Sequence, residues 1–277
     1  MAEPSFLFTP EEAQSVARRV ILALEAQGYQ CVVEQSVGTD APFVPTLTAK
    51  KSRSPQRCIE TQADTHYTGS MKALRNWMWS ERFYGTLSIC TSDTSTIAAR
   101  TLHELKRDGV GLSIVAPDGT VSETIAPLVP ALQVHLDPNL PLGRRKAKVK
   151  QLVVQFNSGD RKGALRDLFE LTEGETRKLA EEASRKGRLI LTTTQVAGAD
   201  WSSHINSLAS TNQCVNQTVI LDPKLKDDLH SFRGSRNLID HPAPNEREAV
   251  KRELQFPERM LMGARLLGEI ESVRRKL

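Results

Sequence analysis

The strongest constraint on this chain is a change of period along it. From Pro10 to Ala116, helical and strand-like stretches alternate; after a segment broken by Pro127, Pro130, Pro138 and Pro141, only helical stretches remain. Strands that alternate with helices pack in layers on a sheet, whereas amphipathic helices without strands bury their apolar stripes against one another. The expected fold is an α/β domain over residues 1–125, a linker over 126–143 and an all-α helical bundle over 144–277. With 277 residues, each half is long enough to bury its own core.

Local signals place the elements. Thr9, Pro10 and Glu12 predict a capping box opening a helix over 10–27, closed by Gly28. Strand-like runs follow at 31–37, 43–49 and 57–62, then a helix over 70–82, a buried strand over 85–91, a helix over 95–107 and a strand over 110–116. In the second half, helices are expected over 160–186, 200–210, 224–240 and 246–276, with Pro257 kinking or interrupting the last.

Composition narrows the class. Charged residues at 25% and hydrophobic ones at 39% suit a globular chain, and no apolar run approaches membrane-spanning length. The first residues lack the basic and apolar regions of a signal peptide, so a cytoplasmic protein with no membrane partner is expected. Cys31, Cys58, Cys90 and Cys214 are scattered, without the paired spacing of zinc sites, and predict free thiols in a reducing compartment. Net charge is only +4, so local clusters matter more than the global balance. The densest is Arg144, Arg145, Lys146, Lys148 and Lys150, a candidate nucleic-acid-binding run whose bland reading is a solvated helix face.

The chemistry-bearing segment is Ser235-Arg236-Asn237-Leu238-Ile239-Asp240-His241-Pro242. Histidine titrates near neutrality and can take a proton from a 2′-hydroxyl or give one to a leaving oxygen. Arginine offers a permanently charged fork to phosphate oxygens. In one regular helix, residues five apart lie about 140° apart around the axis. Pro242, however, disfavours helical backbone at His241, which predicts a helix end there and frees the imidazole to turn. The bland reading is a helix finishing on two residues that suit the negative end of its dipole. No other Arg in the chain is followed by His five residues later.

This segment resembles the HEPN family, helical bundles with Arg, a polar residue, three variable residues and His, placed before a long final helix. The resemblance implies Arg236, Asn237 and His241 as catalytic residues of a metal-independent endoribonuclease. It further implies a homodimer through the helical domain, RNA as partner, and roles in bacterial antiphage defence or as a regulated toxin, with no metal or other cofactor. The alternative is a non-catalytic nucleic-acid-binding or adaptor subunit of a defence complex.

The order helix, three strands, helix, strand, helix, strand in the first half resembles the restriction-endonuclease-like, or PD-(D/E)XK, superfamily. That resemblance implies an Asp on the second strand and Glu-x-Lys on the third, holding Mg²⁺. Here Thr46 stands in the Asp position, Glu60 is retained and Gln62 replaces the lysine. Glu34 and Asp40 are the remaining candidate ligands of what reads as a degenerate nuclease site, serving nucleic-acid or partner recognition. A Mg²⁺-dependent DNA endonuclease through Asp40 and Glu60 is the third expectation.

Overall fold

A computed structural model describes residues 4–92 and 97–277, which form two compact units, 1–133 and 134–277. The first contains α1 (Glu11–Ala26), β1 (Gln30–Val33), β2 (Leu47–Lys50), β3 (Gln56–Gln62), α2 (Gly69–Ser80), β4 (Gly85–Thr91), α3 (Ala99–Asp108), β5 (Gly111–Val115) and β6 (Val121–Ile125). Its strands make one mixed sheet in the order β1-β2-β3-β4-β5-β6. Pairing is parallel between β3 and β4 and between β4 and β5, and antiparallel elsewhere.

The two-residue repeat of strands sorts the core into two faces. Leu47, Ala49, Ile59, Cys90 and Val115 meet Val16, Ala17, Val20 and Leu24 of α1. Cys58, Leu87, Ile89 and Leu112 point the other way, onto Met71, Leu74 and Met78 of α2 and Leu105 of α3. All four cysteines are free, and three of them are buried.

Four expectations are corrected here. The capping box at Thr9 does not form: Pro10 is the N-cap, with no side-chain cap. Thr9 instead donates its hydroxyl to Glu34, 2.7 Å away. β6 was not expected; its Ser-Glu-Thr middle is exposed on the sheet edge and lacks an apolar alternation. The helix expected from Ser95 begins at Ala99 among the described residues, and Ser95 itself lies outside them. Of the segment expected as a linker, Pro130, Ala131 and Leu132 are buried in the first unit, and Val134 and Leu142 in the second.

The second unit is helical: α4 (Lys146–Asn157), α5 (Arg161–Arg185), α6 (Thr193–Ala197), α7 (Trp201–Ala209), α8 (Pro223–Gly234), α9 (Asn237–Asp240) and α10 (Glu246–Lys276). The short α6 was not expected. α5 is the axis, burying Leu165, Leu168, Phe169, Leu179, Ala180 and Ala183 along one stripe. Phe169 meets Phe232 of α8 at 4.4 Å between ring centroids, and Trp201 of α7 packs edge-on against Phe232. Gly263 lets α10 approach this cluster, because a Cβ there would lie 2.4 Å from Phe232 and 2.7 Å from Leu168. Pro257 does not interrupt α10, although the Glu253 carbonyl loses its helical donor. No helix among the described residues is long and apolar enough to cross a membrane.

One carboxylate organises the polar side of this bundle. Glu175, in mid α5, is buried and paired with Arg145, with Arg274 at 2.9 Å, Lys178 at 3.1 Å and Arg144 at 3.6 Å. Burial alone would raise its pKa, but hydrogen bonds from Lys178, Arg274 and Arg145 and the charge of Arg274 outweigh it, bringing the carboxyl from 4.5 down to about 2. A depressed folded-state pKa adds stability above the unfolded value and loses it as pH falls through the folded one. Part of the effect is screened, since the Arg144 and Lys178 side chains are 57% and 49% exposed. The second unit is therefore expected to lose roughly 2 kcal/mol between about pH 4.5 and pH 2 from this group. Glu175→Ala should cost about 3 kcal/mol at pH 7, because it leaves the half-buried Arg145 and Arg274 without their carboxylate, and should abolish that acid-dependent loss. Urea denaturation followed by helical circular dichroism at both pH values measures the two effects.

Candidate functional site

Of the residues aligned with a nuclease centre, Thr46 and Glu60 are bonded to one another and Glu34 and Gln62 are engaged elsewhere. Thr46, just before β2, donates its backbone N–H and its hydroxyl to Glu60 Oε2, each at 3.0 Å. Its hydroxyl accepts in turn from the Thr61 N–H at 3.3 Å. Burial pushes the Glu60 carboxyl up, the bonds from Thr46 pull it down, and the nearby Glu34 charge raises it again; the net direction is upward. Gln62 accepts from the His66 N–H at 2.8 Å and donates to Met71 Sδ, so it fastens the β3–α2 connection.

Glu34 has left-handed backbone, φ 48°, just beyond β1. This conformation is costly for a residue with a Cβ, typically about 1–2 kcal/mol. Its carboxylate accepts from the N–H groups of Leu7, Phe8 and Thr9, at 2.7, 2.9 and 2.7 Å, besides the Thr9 hydroxyl. Burial would raise this carboxyl, but those bonds dominate and hold it below its ordinary value. Asp40 is exposed in the β1–β2 connection. These residues do not fit a divalent cation. A hydroxyl donor replaces the carboxylate at Thr46, Glu34 is engaged by four donors, and no group of three potential ligands converges among the described residues.

In the helical unit the arginine–histidine segment does not lie in one regular helix. α8 stops at Gly234, buried Ser235 turns back to bond the Ser231 carbonyl, and Arg236 is the N-cap of α9. The expected continuous helix over 224–240 is thus corrected to two. α9 ends at Asp240, and His241 takes extended backbone, φ −102° and ψ 135°, as a residue before proline should. The Arg236 guanidinium donates to Asp240 at 3.1 Å and to Glu173 of α5 at 3.3 Å. Asn237 is exposed, and its carbonyl accepts the His241 N–H at 3.4 Å.

His241 is exposed and lines a cleft of about 390 Å³ with Asp160, Arg161, Lys162, Arg252 and Glu253, whereas Arg236 is not part of that wall. Within one chain, then, the two residues do not share a cleft. Arg252 donates to the His241 carbonyl at 2.9 Å and Arg161 to Glu253 at 2.8 Å; Lys162 has no carboxylate partner among the described residues. Arg252 also pairs with Glu248 at 3.2 Å, so Lys162 is the cation of this cleft left to attract an anion. Sequence reasoning missed Arg161 and Lys162, although the available signal was a basic pair just after the Gly159-Asp160 start of α5.

The basic run divides in two. Arg144 and Arg145 are held by Glu175. Lys146, Lys148 and Lys150 are exposed on the first turns of α4, where cations oppose the helix dipole.

Replacing Thr46 with Asp should set a second carboxylate against Glu60 in place of a donated hydrogen bond. Thr46→Asp is expected to destabilise the first unit by about 1–3 kcal/mol at neutral pH, with Mn²⁺ restoring part of the loss in the variant but not in the wild type. Thermal denaturation with and without Mn²⁺ measures both. Comparison of the chain with protein-family models, curated proteins and solved structures finds no match.

Proposed function

We propose that the chain is a metal-independent endoribonuclease of HEPN type, with His241 as the proton-transfer group. The observation that carries this reading is an exposed histidine in a cleft with Arg161, Lys162 and Arg252, beside an arginine–asparagine pair at the spacing of that family. The cations bind the phosphodiester. The RNA 2′-oxygen attacks phosphorus as its proton passes to an imidazole. The bond from phosphorus to the 5′-oxygen breaks, and that oxygen takes up a proton. The products are a 2′,3′-cyclic phosphate and a free 5′-hydroxyl. Arg236 stabilises the extra charge on the phosphoryl oxygens, and Asn237 supports it.

Because Arg236 is outside the His241 cleft of its own chain, the reading requires two copies, with Arg236 of one facing His241 of the other. Exchange of Glu173 for phosphate then frees the guanidinium. The first unit, restriction-endonuclease-like in its strand order and without a fitting metal site, recognises nucleic acid or a partner and restrains the helical half. Work in antiphage defence or as a regulated toxin accords with such control. The adaptor reading is favoured by one observation, the neutralisation of Arg236 by both Asp240 and Glu173.

Purified protein with labelled tRNA and single-stranded RNA in excess chelator is expected to yield cyclic-phosphate ends, at a rate per chain that rises with protein concentration. His241→Ala should slow cleavage by roughly 10²–10⁴-fold and Arg236→Ala by about 10²-fold or more, both with unchanged circular dichroism. A folded wild type that is inert with and without Mg²⁺ would put the adaptor reading first.

A further inference from the structure

A second cavity, of about 240 Å³, lies wholly within the first unit, on the sheet face that also carries α1. One wall is apolar, from Val20 and Leu24 of α1; the strands supply Ile59, Cys90 and Val121 together with a row of polar side chains. Thr86 and Ser88 are alternate residues of β4, and Ser113 stands beside Cys90 in the adjoining row of β5, so three short hydroxyls line one face. Polar side chains on the buried-side face of a sheet are unusual in a layer that exists to bury apolar surface.

Two charged groups bracket that row. Arg57, paired in register with Thr86, is half-buried with its guanidinium 4.6 Å from the Tyr29 ring centroid, and has no carboxylate partner among the described residues. Glu123, opposite Ser113 on β6, likewise has no cationic partner among the described residues. β3 and β6 are three strand spacings apart, about 14 Å, which keeps the two from pairing. Gly111 keeps the space between them open, since a Cβ there would fall 2.6 Å from Ser88 Oγ and 3.0 Å from Pro127.

We propose that this cavity binds a nucleoside monophosphate. The Arg57 fork takes the phosphate, its orientation fixed by stacking on Tyr29. The hydroxyls of Thr86, Ser88 and Ser113 exchange hydrogen bonds with the ribose, the apolar wall of α1 covers the face of the base, and Glu123 accepts from an exocyclic amino group. Arg57 and Glu123, which have no ion-pair partner among the described residues, are thus the charged groups that such a ligand would satisfy. The site is independent of the His241 cleft and of any RNA cleavage there.

Isothermal titration of the full chain with AMP, CMP, UMP, ribose 5-phosphate and inorganic phosphate tests this. Saturable binding of AMP or CMP, weaker binding of UMP, which lacks the amino group, and still weaker binding of inorganic phosphate are expected. Arg57→Gln should weaken CMP binding roughly tenfold or more, Ser88→Ala should weaken it less, and Glu123→Gln should abolish the preference for CMP over UMP. His241→Ala should change none of these affinities. Absence of saturable binding by any nucleotide overturns the proposal, as does undiminished CMP affinity in folded Arg57→Gln and Ser88→Ala proteins.

Discussion

The helical unit is organised around a carboxylate that would be unaffordable alone. Burying Glu175 in mid α5 requires positive charge from several directions, and it comes from Arg144 and Arg145 before α4, Lys178 one turn on, and Arg274 near the end of α10. That requirement ties the start, the middle and the finish of the bundle to one point. α5 is also the helix whose apolar stripe fills the core, so ionic and apolar constraints fix the same element. The cleft at His241 is built from the start of α5 and the first half of α10, and it inherits their placement.

The same economy shapes the first unit. Thr46 joins the two acidic residues, accepting the Glu34 N–H at its carbonyl and donating its hydroxyl to the Glu60 carboxylate. Glu34 then spends its acceptor capacity on the chain preceding α1. The half-buried hydroxyls of Thr86, Ser88 and Ser113 lie elsewhere, beside α1 on the same face of the sheet.

Much of the architecture was legible in the sequence, since hydrophobic periodicity reports burial directly. The strand Gly85–Thr91 and the helix Glu246–Lys276 were read to the residue, because both carry their full pattern. What escaped depends on partners distant in sequence. The capping box lost Thr9 to Glu34, 25 residues away, and Arg144 and Arg145 read as a free basic run because their buried partner is some thirty residues on. β6 escaped for the opposite reason: an edge strand with an exposed middle has no face to advertise. The candidate site was legible as residue types, but not as geometry. Five-residue spacing says nothing of Arg236 turning to α5 while His241 enters a different wall.

The hydrogen bond from Arg252 to the His241 carbonyl has a mechanical consequence. The helix preceding the histidine is a single turn, too short to hold its own end rigid. The long guanidinium arm from α10 grips the main chain there, so the backbone at His241 is tied to the last helix of the fold as well as to Asn237. A displacement of α10 at Arg252 would therefore pull on the main chain of His241 while leaving the bonds that hold Arg236, to Asp240 and Glu173, in place.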